Sequence, residues 1–133
     1  MRLNGFLATV LLALLATGAA AQSVSPMKKS GTTLTARKAF YVTVSNPYPE
    51  RMTFSLTPME PGYHAEAKGT RVLPPEVTLG SHRQRRVIFM FDIPEGETER
   101  KVSLCVAPEG LASHVRPRVC GTYVGRRIGR RRQ

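Results

Sequence analysis

Between residues 38 and 45 the chain reads KAFYVTVS, with Phe40, Val42 and Val44 on one face and Thr43 and Ser45 on the other. This period of two predicts a half-buried strand. Turn formers Asn46-Pro47-Tyr48-Pro49 end it. Met52, Phe54 and Leu56 then alternate with Arg51, Thr53 and Ser55 in a second strand, which Pro58 and Pro61-Gly62 close. Gly69–Leu73 predicts a short strand before Pro74-Pro75, and Val77 and Leu79 alternate around Thr78 before Gly80. Arg86–Phe91 is apolar on both faces after its first residue, the signature of a central, well-covered strand. Lys101–Val106 places Val102, Leu104 and Val106 opposite Cys105, and Val119–Val124 is rich in β-formers. No helical stripe occurs beyond the N-terminal apolar run. Strand-length segments punctuated by Pro and Gly predict an all-β antiparallel sandwich.

The N-terminal run changes the compartment. Arg2, the apolar stretch Phe6–Leu15 and Ala19-Ala20-Ala21 before Gln22 form the three parts of a secretory signal peptide. The apolar stretch falls short of the roughly 20 residues of a bilayer span. The expected organisation is a cleaved leader at 1–21, one sandwich domain at 22–125 and a basic tail at 126–133. The exported chain then keeps no transmembrane segment. Cys105 and Cys120 are the two cysteines. Outside the cytoplasm such a pair is expected to be oxidised. Closing a loop of about 15 residues stabilises a fold by about 3 kcal/mol in the chain-entropy account. Zinc needs more ligands than these cysteines and the scattered His64, His82 and His114 offer, and the C-x-x-C redox spacing is absent.

The formal net charge is +11, from 20 Lys and Arg against 9 Asp and Glu, and loss of Arg2 with the leader lowers it by one. Anionic partners follow: acidic proteins, anionic lipid or glycolipid, or nucleic acid. Export and the lack of aromatic residues among the tail arginines argue against nucleic acid. Asp92, Glu95, Glu97 and Glu99 surround one turn but lack the ligand spacing and glycine of a calcium loop. No nucleophile elbow and no phosphate-binding glycine loop occurs, so no enzyme, cofactor or metal is expected.

Several segments in order resemble the N-terminal immunoglobulin-like domain of PapD-type periplasmic pilus chaperones. They are the opening Val24-Ser25-Pro26, the strand ending YVTVSNP, the stretch Arg71-Val72-Leu73-Pro74-Pro75-Glu76-Val77-Thr78-Leu79, the apolar RRVIFMF, and Glu99-Arg100 before a strand. The resemblance spans nearly the whole exported chain and implies an immunoglobulin-like, PapD-like sandwich located in the periplasm or secreted. It also implies a mechanism, in which an edge strand is added to an incomplete, β-rich secreted subunit. Two family cations, on the first and last strands, grip the subunit's terminal carboxylate. Lys28 or Lys29 matches the first, and Arg126 or Arg127 the second. Val119 and Tyr123 would lie on the apolar row of the donor strand. In one branch of the family a disulfide joins the last two strands, where Cys105 and Cys120 fall. The chain departs from the family in ending after one such domain, in its short apolar row on the last strand, and in its short polar connection Pro108–Arg118. The competing expectation is a structural envelope module whose tail, Arg126, Arg127, Arg130, Arg131 and Arg132, binds anionic glycolipid or polymer.

Overall fold

The computed structural model describes residues 23–110 and 117–129. The leader at 1–21, His114 and the arginines at 130–132 lie outside the described residues. The strands are β1 (Ser23–Ser25), β2 (Lys28–Thr33), β3 (Arg37–Ser45), β4 (Met52–Met59), β5 (Thr70–Leu73), β6 (Glu76–Leu79), β7 (Gln84–Asp92), β8 (Glu99–Pro108) and β9 (Val119–Arg127). They form a sandwich of a four-stranded sheet, β1-β3-β7-β5, and a five-stranded sheet, β2-β9-β8-β4-β6. The all-β sandwich read from the alternation, and the immunoglobulin-like form that the resemblance implied, are the observed ones. Every ladder is antiparallel except β2–β9, which is parallel.

The inward rows follow the alternation. Phe40, Val42 and Val44 on β3 meet Val87, Phe89 and Phe91 on β7, and Phe54, Leu56, Val102, Leu104 and Val106 face them from the other sheet. Tyr123 completes this core. It is 0 % exposed, and its ring packs 5.7 Å from Phe40 and 5.5 Å from Phe89. Its hydroxyl donates to the carbonyl of Pro26 at 2.7 Å, and burial pushes its pKa up. Gly121 makes room for that ring, because a Cβ there would stand 2.6 Å from Tyr123 Oη.

Four details differ from the alternation reading. Pro58 does not end β4, which continues to Met59. Its carbonyl accepts the Ala67 N–H at 3.1 Å, so the position lacking an N–H faces the following loop and leaves the β8 ladder intact. β9 runs on through Arg127, two residues into the basic segment. Asn46 is buried as well as turn-forming: its amide donates to the carbonyls of Glu50 and Leu79 and its Oδ1 accepts from Tyr48 N–H, bracing the turns after β3 and β6. β7 is central in its sheet, yet Ile88 and Met90 on its outer face are only half-buried.

Two expectations follow. Tyr123→Phe leaves the Pro26 carbonyl without its partner and should lower stability by about 1–2 kcal/mol, read from denaturant unfolding. Glu109 has its pKa raised by a hydrogen bond with the Glu76 side chain, by desolvation and by the Glu76 charge. Its proton is held more tightly in the fold than in the unfolded chain. The pair therefore favours folding below the ordinary carboxylate range, and that contribution is lost as pH rises through the folded pKa. Glu109→Gln should raise the unfolding midpoint at neutral pH and leave it unchanged in acid, as thermal scans across pH would show.

Candidate sheet-edge site

The N-terminal segment changes sheets. β1 lies beside β3, and after Pro26-Met27 the chain crosses to run as β2 beside β9. β2 begins late relative to its neighbour. Lys28 is level with Thr122, and the Met27 carbonyl accepts the Thr122 N–H at 2.7 Å. Val119–Gly121 therefore have β8 on one side and, among the described residues, no strand on the other. Cys120 presents its N–H and carbonyl toward that open side, because backbone direction alternates and Thr122 already faces it.

The disulfide sits directly behind this opening. Cys105 and Cys120 are opposite each other on β8 and β9 with Cα atoms 4.1 Å apart, and they are bonded as the sequence suggested. The cross-link fixes the first residues of β9 onto the sheet where only one neighbour holds them.

On the outer face next to the opening is a groove of about 480 Å³, lined by Lys28, Ser30, Lys101, Thr122, Val124 and Tyr63. The turn carrying Tyr63 forms its far wall. Gly62 and Tyr63 both have positive φ, 92° and 60°, the latter uncommon for a side-chain-bearing residue. Arg100 ties this turn down. Its side chain is only 13 % exposed and donates to the carbonyls of Asp92 (2.7 Å) and Lys68 (2.6 Å) and to Glu60 Oε1 (3.1 Å). Arg118 approaches the Tyr63 ring at 5.7 Å.

The residues singled out in the sequence fall in different places. Lys28 is exposed and lines the groove. Lys29 also borders it, with its ammonium 5.9 Å from the Phe40 ring. Arg126 is level with Thr32, roughly 13 Å along the ladder from Lys28, and is held by Glu99 at 2.9 Å. Arg127 is exposed at the end of β9. The cation brought to the groove with Lys28 is instead Lys101 of β8. Alternation placed Lys101 opposite Val102, but only the β8–β9–β2 register puts it on the groove. Val119 is partly buried against the core, and Tyr123 is wholly inside it. The outward row of β9 is Cys120, Thr122 and Val124, so a charged replacement of Tyr123 reports on the fold and not on a partner. Among the described residues no cluster of His, Cys, Asp and Glu could hold a metal, and no helix is long and apolar enough to cross a membrane.

No family model and no curated protein matches the sequence. Solved structures do match in fold. A chain of the Salmonella enterica SafA pilin–SafB chaperone complex superposes with TM-score 0.64 at 15 % identity, over 84 % of this chain and 57 % of that one. The E. coli chaperone DraB gives TM-score 0.64 at 15 % identity, over 80 % of this chain and 55 % of that one. The PapD-like domain 7 of human CEP192 gives TM-score 0.59 at 16 % identity, over 80 % of this chain and 84 % of that one. The chain thus has the PapD-like fold and is similar in structure to pilus chaperones, spanning less than two thirds of the length of the chaperone-complex and DraB chains.

Arg100→Met should cost about 1–3 kcal/mol, since it strands two carbonyls. Limited proteolysis should then cut between Glu60 and Lys68 sooner than in the parent chain.

Proposed function

We propose that this protein is an exported, periplasmic chaperone-like or accessory binding protein that holds a β-rich secreted subunit by strand addition. The observation that carries the reading is the open side of Val119–Gly121. It offers the N–H and carbonyl of Cys120 at a sheet edge, held in place by the adjoining disulfide. The fold likeness supports it, since matched structures include pilin–chaperone and chaperone–tip subunit complexes. A non-enzymatic role accords with chaperone neighbours.

In this reading a strand of the subunit pairs with the open side of β9. Its chain end or an acidic side chain enters the groove between Lys28 and Lys101, where ammonium groups and the Thr122 hydroxyl suit a carboxylate. Lys29 and Arg127 supply longer-range attraction at either end of β2. Contact comes mainly from backbone and from the outward row, because Tyr123 belongs to the core.

The test is recovery of a β-rich envelope subunit with the tagged, exported protein. Arg118→Pro disrupts the backbone leading into the open edge while sparing the β8–β9 ladder. Lys28→Glu with Lys101→Glu reverses the groove. Each should lower subunit recovery by at least roughly tenfold with an unchanged unfolding midpoint. Undiminished recovery in both variants would overturn the proposal.

A further inference from the structure

The outer face of the four-stranded sheet carries a feature the edge site does not use. β7 is apolar on both sides, and its outward Ile88 lies in register between Tyr41 and Leu73. Leu73, Ile88 and Tyr41 form one cross-strand row, and Arg71, Met90 and Ala39 form the next. Tyr41 is 60 % exposed and Leu73 39 %, and the sheet has no further layer on this side among the described residues. Isolated apolar side chains on a surface need no explanation, but a contiguous row of them marks an interaction surface.

The rim of the row is cationic. Arg86 places its guanidinium 5.4 Å from the Tyr41 ring centroid, and Arg71 flanks the second row. Neither joins an ion pair among the described residues. The acid on this face is Asp92, already occupied by Arg37 at 2.9 Å. Between Arg37 and Arg71 lies a depression of about 160 Å³ with Met90 in its wall. The face therefore combines a flat apolar centre, a tyrosine and long cationic arms, and among the described residues it has no unpaired carboxylate to repel an anion.

We infer that this face docks the protein on an anionic membrane surface. Tyr41, Leu73 and Ile88 rest at the boundary between headgroups and acyl chains, and Arg71 and Arg86 reach lipid phosphates while their stems cover apolar surface. Amphipathic aromatic rings and arginines are the side chains that favour this layer. A plane of charge also suits the face better than an acidic protein segment does. Arg71 and Arg86 stand on opposite sides of the Leu73–Ile88–Tyr41 row, level with Met90 and Thr43 and about 13 Å apart along β7. A membrane meets both cations at once while its acyl boundary meets the row between them. Docking here leaves the β9 edge and its groove, which belong to the other sheet, open to a partner.

The chain contains no tryptophan, so Tyr41→Trp introduces a single reporter. With vesicles of phosphatidylethanolamine and phosphatidylglycerol, its emission should shift to the blue and be quenched by brominated acyl chains. Vesicles of phosphatidylcholine alone should do neither. In co-sedimentation of the full exported chain, Arg71→Ser and Arg86→Ser should each weaken binding roughly fivefold, and Tyr41→Asp should weaken it further, with unfolding midpoints unchanged. Three results would overturn the inference: an unshifted reporter in the presence of anionic vesicles, binding that survives these substitutions but is lost on removing residues 128–133, or an acidic protein partner lost with the same substitutions while vesicles are ignored.

Discussion

The crossing of the first strand from one sheet to the other governs the rest of this molecule. A sandwich must cover two pairs of edges, and here one short segment serves both sheets on the same side. It pairs with β3 before Pro26 and with β9 after Met27. The turn between is held from inside by the Tyr123 hydroxyl on the Pro26 carbonyl. Because the segment spends its first residues on the other sheet, it reaches β9 too late to cover Val119–Gly121. The gap in the five-stranded sheet is thus a geometric consequence of the crossing.

The mouth of the sandwich beneath β2 is closed by an unusual stopper. Lys38 lies across Gly31 and Gly125, where added Cβ atoms would come within 2.8 Å and 2.9 Å of its side chain, and its ammonium donates to the Thr32 carbonyl. That ammonium is 5.1 Å from the Phe40 ring, a distance at which a cation is attracted to an aromatic face. Glycine is needed at these two places because the lysine stem occupies the space a side chain would take. The cations of the first strands therefore divide by role, Lys38 sealing the core and Lys28 lining the groove.

Much of the fold was legible because period-two alternation is a direct image of two-sided burial. Phe40, Val42 and Val44, or Val102, Leu104 and Val106, could hardly be placed otherwise. The crossing left weaker marks. β2 reads KKSGTT, without an apolar row, since it covers an edge and buries little, and only the resemblance of the opening Val24-Ser25-Pro26 drew attention to the segment. The site was legible in part. Lys28 lines the groove and the cysteines are joined, but Lys101 and Tyr63 come to it through sheet register and through a turn fixed by Arg100, neither of which local pattern encodes. Tyr123 looked available for contact because an inward and an outward row on a nine-residue strand alternate alike. Only the neighbouring sheet decides which is which.

The parallel ladder between β2 and β9 joins opposite ends of the chain, and the bond from Tyr123 to Pro26 spans 97 residues. Closing so large a loop is a slow step, since its entropy must be met before the contacts reward it. The β3–β7 and β8–β9 ladders can assemble while the N-terminal segment is still loose. In that order of assembly the outer side of β9 stays bare until β2 pairs with it. Docking of the first strand therefore does more than close the sandwich: without it β9 would present its whole outer side, and with it only Val119–Gly121 stay uncovered.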